Sequence, residues 1–323
     1  MHEETAALLR LVRERQAPDL SAIPLEQARF VSKQSVAAAS IESDVDMVWT
    51  ATEIAAPHGS VPARIYRPAI LRTSDVVLFF HGGGWTLCDV ETHHGLASAI
   101  SAGLGARLIS VDYRLAPEHV FPAAFMDASV AADWLAASPA ALGEPVSGAV
   151  LAGDSAGGNL AAALSAQWRG PIALRAQLLF YPVLDVSRET GSYEDFGSGF
   201  GLDARVMRWF ASNYVPEPDA RSDIRVSPLL GDVADLPPSI IVAAGLDILR
   251  DEARAYAARL AGAGIETFYL EAVGFPHGWA GMPRFLPSAQ DYLQRALGAL
   301  TPLLAALPEG RDAPDVRVAQ AVQ

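Results

Sequence analysis

The chain has 323 residues, of which 51% are hydrophobic, so it can build a large core. This length favours one large domain with an added subdomain. Its 24 basic and 37 acidic residues give a net charge of −13, which repels phosphate backbones and anionic bilayers. We therefore expect no nucleic-acid partner and no docking on an anionic membrane.

The single cysteine, Cys88, allows no disulfide within the chain, as expected in a reducing compartment. The first residues are acidic, unlike a secretory signal, and no apolar stretch reaches the ~18 residues of a membrane span. The sequence predicts a soluble, cytoplasmic protein without stable membrane insertion.

In chain order, the first predicted element is an amphipathic helix at residues 3–15. Residues 18–43 show no clear period. Two strands, at 47–54 and 61–66, flank turn-forming residues and predict a hairpin.

Beyond residue 68 the pattern changes to continuous apolar runs that alternate with helical segments. Such runs are typical of strands buried on both faces, as in parallel sheets. The strand runs lie at residues 76–80, 108–111, 149–152, 178–181, 240–243 and 268–270. The helical segments lie at 122–137, 156–167, 251–263 and 287–304. This alternation predicts an α/β fold with a mostly parallel central sheet flanked by helices.

Two segments fall outside this alternation. Residues 185–228 hold four glycines and a helix-like stretch at 203–213. This pattern predicts an insertion that lies over another part of the fold. The tail at 308–323 is polar and contains proline and glycine, as expected of a frayed terminus.

A strong chemical signal is the segment Gly153-Asp154-Ser155-Ala156-Gly157, between a buried strand and a helix of small residues. Flanking glycines permit the sharp turn of a nucleophile elbow, which places the serine hydroxyl at the carboxyl end of the sheet. The positive end of the helix then lies near the negative charge that develops in acyl transfer. The pattern predicts that Ser155 is a nucleophile.

A nucleophilic serine needs a base and an orienting acid. His277 is the only histidine after Ser155, and the chain order serine, acid, histidine leaves no other base. Asp247 follows a predicted strand, at the sheet edge where ligand sites collect. Asp185 also follows a strand and is the alternative acid.

The glycine run after His81 predicts an oxyanion hole. Backbone without side chains lets the N–H groups of Gly82, Gly83 and Gly84 approach a substrate oxygen closely. The N–H of Ala156 would complete the set. We favour Gly83 and Gly84, although the sequence does not decide which two point inward.

Candidate pocket residues are large side chains near these motifs or in the insertion. They are Trp85, Met207, Trp209, Phe210 and Trp279. The helical spacing of the three in the insertion is more often typical of core packing. His93 and His94 are adjacent, so their side chains diverge, and no metal site is predicted.

These motifs resemble the hormone-sensitive-lipase family of bacterial carboxylesterases. The resemblance rests on residues 79–85, 112–124 and 153–161 and covers nearly the whole chain from about residue 45 to 305. The motif at 153–157, glycine-aspartate-serine-alanine-glycine, is similar to that of one subgroup of the family.

The resemblance implies an α/β-hydrolase domain at 45–305 with a helical cap from residues 1–45 and the insertion at about 185–228. It implies a serine esterase that hydrolyses short- to medium-chain esters without a cofactor, as a monomer or homodimer. The family's triad roles carry over to Ser155, Asp247 and His277.

Two alternatives stay open. The same tetrahedral chemistry serves a hydrolase of amides, lactones or thioesters. A ligand-binding module could keep the fold without turnover, as in the plant gibberellin receptors, which resemble this family but lack the catalytic histidine. Trp279 stands where the family usually has phenylalanine, which leaves the acyl-chain preference open.

Overall fold

A computed structural model of the chain describes residues 1–41 and 47–307. Its centre is a β-sheet with the strands β1 (Met47–Ala56), β2 (Gly59–Pro68), β3 (Val76–Phe80), β4 (Arg107–Val111), β5 (Gly148–Asp154), β6 (Ala173–Phe180), β7 (Ser239–Leu246) and β8 (Thr267–Pro276). Their order in space is β1-β2-β4-β3-β5-β6-β7-β8.

The sheet is mostly parallel. β1 and β2 form an antiparallel hairpin, and β2 also runs antiparallel to β4. All pairings from β4 through to β8 are parallel, so the carboxyl ends of these six strands share one edge. Loops that follow these strands can therefore converge on one site.

Helices cover both faces of the sheet. They are α1 (Glu3–Glu14), α2 (Leu25–Ala39), α3 (His94–Leu104), α4 (Ala123–Ala136), α5 (Ala156–Gln167), α6 (Gly191–Phe196), α7 (Ala204–Tyr214), α8 (Arg250–Gly262) and α9 (Gln290–Leu300). One apolar core lies under α4, α5 and α8, and the other lies under α3 and α9.

The apolar run of β3 explains why its sequence shows no alternation. Val76, Leu78 and Phe80 pack into the first core. Val77 and Phe79 pack into the second core. A strand buried on both faces needs an apolar side chain at every position, which confirms the predicted parallel α/β sheet.

The predicted strands all occur. The predicted helices also occur, α5 with the predicted bounds and the others with ends shifted by one to four residues. Three further helices have weak sequence signals. α2 lies in the segment without a clear period, and it buries only Ala28 and Ala39 fully, so it needs no apolar stripe. α3 is built of small and apolar residues, which hides its helical period. α6 has only 6 residues. The predicted tail at 308–323 lies outside the described residues.

Within residues 1–41 and 47–307, the helices are either too short or too polar to cross a lipid bilayer.

Candidate active site

Ser155 lies in the sharp turn between β5 and α5, with φ 54° and ψ −118°. Non-glycine residues rarely adopt this backbone conformation, and it costs about 1–3 kcal/mol unless its surroundings enforce it. The surroundings are tight, because a Cβ at Gly157 would overlap the carbonyl of Phe80, and one at Gly153 would overlap the Gly157 backbone. Glycine at both positions lets the strand and helix close around the serine.

Three side chains, those of Ser155, His277 and Asp247, form a continuous chain of hydrogen bonds at the carboxyl edge of the sheet, which we call the relay. Ser155 Oγ lies 2.8 Å from His277 Nε2. His277 Nδ1 lies 2.7 Å from Asp247 Oδ2. Each residue directly follows the end of a strand, namely β5, β7 or β8. The parallel sheet thus brings together groups that are far apart in the sequence.

Asp247 is held in place by its own turn. Its side chain is 1% exposed, and its second oxygen accepts the N–H of Leu249 at 3.1 Å. The alternative acid, Asp185, accepts hydrogen bonds from Ser187 and Arg188 instead. The structure therefore brings Asp247, and not Asp185, to His277.

Tyr181 is a neighbour of the base that sequence reasoning missed. Its ring centroid lies 4.8 Å from that of His277, and its φ is 34°. Burial raises the pKa of Tyr181 well above its usual 10, so the phenol stays neutral beside the imidazole. Its position directly after β6 is the signal that could have indicated it.

The glycine loop after β3 is bent by positive φ values of 112° at Gly83 and 60° at Gly84. The N–H of Gly82 donates to Asp154 Oδ1 at 2.8 Å, so it points away from a substrate oxygen. Among residues 1–41 and 47–307, no group accepts the N–H of Gly83, Gly84 or Ala156. These three donors are available for an oxyanion.

His81 contacts this loop through its side chain. Its Nδ1–H donates to the carbonyl of Gly82 at 2.8 Å, and its own carbonyl accepts the Tyr113 hydroxyl at 2.7 Å. The two rings stack with centroids 4.3 Å apart. Burial lowers the pKa of His81 to about 4, so this ring is neutral at physiological pH.

The candidate pocket residues have different surroundings. Phe210 packs its ring against Gly84, and Trp85 stacks on Tyr214 with centroids 4.5 Å apart. Met207 is buried in the core, whereas the neighbouring Trp209 is half-buried. Phe210 thus lies beside the glycine loop.

Trp279 has no exposed surface, and its ring packs among Phe180, Tyr181 and Tyr292. It contacts Tyr181, whose ring in turn contacts His277. A larger residue at this position supports the wall behind the base rather than lining the substrate space.

Two cavities of about 490 Å³ each lie away from the relay. One lies beside α2 and includes Arg29 and Glu118, which form an ion pair at 2.6 Å. The other lies beside the start of α4. In the part of the chain that the structure describes, no three histidine, cysteine, aspartate or glutamate side chains are clustered as a metal site would require.

Glu252 is a buried acid on α8 that shapes the neighbouring loop. One of its carboxylate oxygens accepts the N–H groups of Leu184 and Asp185, at 3.0 and 2.5 Å. Burial raises the pKa of Glu252 well above its usual 4.5, and the Asp185 and Asp247 charges add to this effect.

We expect this acid to make stability fall with rising pH. Because the folded state keeps the proton more tightly than the unfolded state, stability is full below pH about 4.5 and declines as pH rises toward the folded-state pKa. Glu252→Gln cannot lose this proton. We measure the free energy of unfolding of both proteins with urea at pH 5, 7 and 9. The value for the variant should increase relative to that of wild type as pH rises. Parallel curves would contradict this, and Glu266→Gln, at an exposed position, is the control.

The relay of hydroxyl, imidazole and carboxylate, at the carboxyl edge of a parallel sheet and beside three free N–H donors, defines a serine hydrolase of the α/β type. A model of the alpha/beta hydrolase fold family matches residues 77–281. The chain belongs to this family and, within it, to the hormone-sensitive-lipase group of carboxylesterases. It is a carboxylic ester hydrolase.

The relatives agree with this class. The chain is 38% identical over 244 residues to the carboxylic ester hydrolase LipN of Mycobacterium tuberculosis. The match covers 72% of this chain and 64% of LipN, which is less than two thirds of that protein. It is 35% identical to the ethyl acetate hydrolase of Pseudomonas putida, covering 75% of this chain and 78% of that enzyme. The crystal structure of a thermostable esterase from Pseudomonas putida ECU1011 matches with a TM-score of 0.88 and 32% identity, over 95% of this chain and 98% of that one.

Proposed function

We propose that this enzyme hydrolyses short- to medium-chain carboxylic esters through an acyl-enzyme, with Ser155 as nucleophile. The single observation that carries the proposal is the relay with spacings of 2.8 and 2.7 Å. Both distances are within the range of direct hydrogen bonds, as proton transfer requires.

The first half of the reaction follows from this geometry. His277 takes the proton of Ser155 as the hydroxyl oxygen attacks the ester carbonyl. Asp247 accepts the Nδ1–H of His277, which leaves Nε2 free as the base, and it stabilises the imidazolium that forms. The N–H groups of Gly83, Gly84 and Ala156 hold the resulting oxyanion.

The second half uses the same groups in reverse. The His277 imidazolium gives its proton to the leaving alcohol, which departs as the acyl-enzyme forms. His277 then takes a proton from water, the water oxygen attacks the acyl carbonyl, and Ser155 is released with its proton restored. No proton has to come from outside the relay and the water.

Aromatic packing beside the glycine loop supports the short chain length. Phe210 lies against Gly84 and is only 7% exposed, and the neighbouring stack of Trp85 and Tyr214 is fully buried. A long acyl chain in this direction has to displace a ring. The named substrate of the Pseudomonas putida relative, ethyl acetate, is also short.

The cap belongs to the same proposal, with residues 1–45 and about 185–228 as its parts and 45–305 as the catalytic domain. The two parts are in contact, because Arg205 on α7 pairs with Asp19 at 2.7 Å. Arg29 on α2 donates to the carbonyl of Thr86, next to the glycine loop. These contacts support a cover over the site.

The proposal extends to the setting of the enzyme. One chain supplies the whole relay, which supports a monomer or a homodimer of independent sites. The single cysteine supports a reducing, cytoplasmic location. A small ester is the proposed partner.

We expect hydrolysis of p-nitrophenyl esters to fall with acyl length from acetate and butyrate through octanoate to palmitate. Displacing packed rings costs about 1–3 kcal/mol, which is about five- to 150-fold in kcat/KM. Phe210→Ala vacates space beside Gly84 and should reduce the preference for acetate over palmitate. The measurement is kcat/KM for each ester with wild type and this variant.

Equal or greater turnover of palmitate by wild type would contradict the chain-length proposal. The matched amide and lactone of the best acyl group distinguish the reaction class, and faster cleavage of either would overturn the ester assignment. The control variant is Phe200→Ala, in the glycine-rich segment before α7, because its ring packs on Phe196.

A further inference from the structure

Asp154 is a buried carboxylate directly before the nucleophile, with its side chain 7% exposed. Its Oδ1 accepts the N–H of Gly82 at 2.8 Å. The approach is close, because a Cβ at Gly82 would lie 2.5 Å from the other carboxylate oxygen. One carboxylate therefore connects the nucleophile elbow to the glycine loop.

His93 supplies the countercharge for this carboxylate. Its Nε2 lies 3.3 Å from Asp154 Oδ1. The Gly82 N–H points to both groups, at 2.8 Å from Asp154 Oδ1 and 3.3 Å from Nε2, so it donates to the nitrogen as well when Nε2 is unprotonated and to the carboxylate alone when Nε2 is protonated. With Nε2 protonated, His93 and Gly82 both donate to Asp154 Oδ1. The residue comes from the segment directly before α3, 61 positions away from Asp154 in the sequence.

Hydrogen bonding on the other side of the ring favours a proton on Nδ1. Its Nδ1 lies 3.0 Å from the hydroxyl oxygen of Thr92. That hydroxyl has one hydrogen and gives it to the carbonyl of Asp89 at 2.7 Å, so it can only accept from His93. A ring that donates through Nδ1 to Thr92 and through Nε2 to Asp154 is an imidazolium.

The titratable groups around His93 agree with a positive ring. Burial opposes the charge, yet the Asp154 carboxylate raises the pKa of His93 above its usual 6.5. The nearest histidine ring, His81, is neutral. The groups that face this cluster are Asp89 and Cys88 from the following loop, Asp112 from the end of β4, and Tyr113.

We propose that His93 is a positioning residue whose imidazolium holds Asp154 against the Gly82 N–H and so keeps the oxyanion donors in register with Ser155. The proposal rests on the proposed oxyanion role of Gly83 and Gly84. When the imidazolium loses its proton, a buried carboxylate is left without a countercharge. The loop then loses its fixed connection to the elbow.

This arrangement gives the enzyme an alkaline limb of activity. The alkaline limb comes from deprotonation of His93. The loss falls on kcat rather than on KM, because the oxyanion forms only during the reaction.

The test compares the pH profiles of wild type, His93→Gln and Asp154→Asn on p-nitrophenyl acetate. In His93→Gln we expect kcat lower by about ten- to a hundredfold, less than the ~100- to 1,000-fold of losing a donor outright, and no alkaline limb. Phenylboronic acid, which mimics the oxyanion as a Ser155 adduct, should bind more weakly by the same factor. His94→Gln is the matched control, because that ring faces the hydroxyl of Tyr66 at 3.1 Å.

The Asp154→Asn variant tests the same pairing if His93→Gln does not fold. Asparagine still accepts the Gly82 N–H, and its amide group donates to a neutral His93. We expect it to keep most of the neutral-pH activity and to lose the alkaline limb. An alkaline limb that persists in either variant, or its absence from wild type, would overturn the proposal.

Failure of the proposed function would show itself separately, as an absence of ester turnover in wild type at every pH. The pairing can then be measured through unfolding alone. A pKa of His93 that is raised in the folded state stabilises the protein at low pH, and this stability is lost as pH rises through that pKa. The part of this loss that comes from His93 should disappear in His93→Gln, while the part that comes from Glu252 remains, and an unchanged slope would overturn the pairing.

Discussion

We expect the Ser155→Ala variant to lose ester hydrolysis almost completely, with kcat on p-nitrophenyl acetate lower by about 10⁴- to 10⁶-fold. Without the hydroxyl there is no acyl-enzyme, and His277 has no proton to take. The oxyanion donors and the binding site stay intact, so a small residual rate above water can remain. Steady-state kinetics across the whole ester series measures this loss.

A burst of p-nitrophenol at high enzyme concentration, present in wild type and absent in the variant, would identify the acyl-enzyme directly. The matched control is Ser165→Ala on α5, whose hydroxyl donates only to the carbonyl of Ala161. Retained turnover in Ser155→Ala would refute the assignment of the nucleophile, provided that wild type is active.

The second large effect is expected for Asp247→Asn, with kcat lower by about 10⁴-fold at neutral pH. The asparagine amide can donate to His277 Nδ1, which would then hold the imidazole in the tautomer that carries its proton on Nε2. That nitrogen faces Ser155 at 2.8 Å and could no longer act as a base. Substrate binding should change much less than kcat.

Asp185→Asn is the control for this prediction, since both acids are buried and follow neighbouring strands of one sheet edge. Asp185 contacts Ser187 and Arg188 rather than the imidazole. Its variant should keep kcat even if its stability falls. A larger kcat loss in Asp185→Asn than in Asp247→Asn would reverse the assignment of the acid.

Much of the fold was predictable because a strand buried on both faces has a continuous apolar run in its sequence. The apolar run at 76–80 became β3 with the same bounds, and the small-residue helix at 156–167 became α5. α2 has no comparable pattern, since a helix on the surface with two fully buried alanines has little periodicity to detect.

The candidate relay was also predictable in outline. Motif and chain order limited the base to His277, and they left two acids that only the three-dimensional structure could separate. Chain order could not separate Asp247 from Asp185, because both follow a strand of the same sheet. The distance of 2.7 Å to the imidazole comes from the fold alone.

The contact between His93 and Asp154 could not be predicted from local pattern. Adjacent histidines were expected to diverge, and they do, with His93 facing Asp154 and His94 facing Tyr66. No sequence pattern pairs one of them with an aspartate 61 positions away. Only the neighbouring positions of β3 and β5 in the sheet bring these groups together.

The relay joins Ser155 to a histidine 122 positions later and that histidine to an acid 30 positions before it. β6 lies between β5 and β7, so the relay requires four adjacent parallel strands to be paired. Pairings between segments far apart in the sequence form slowly, because the chain loses conformational entropy before the stabilising contacts are made. A refolding intermediate can therefore be collapsed and rich in helix while it lacks a base for its nucleophile. In a refolding experiment, the recovery of enzymatic activity would report the pairing of these four strands, whereas circular dichroism would report the formation of helices.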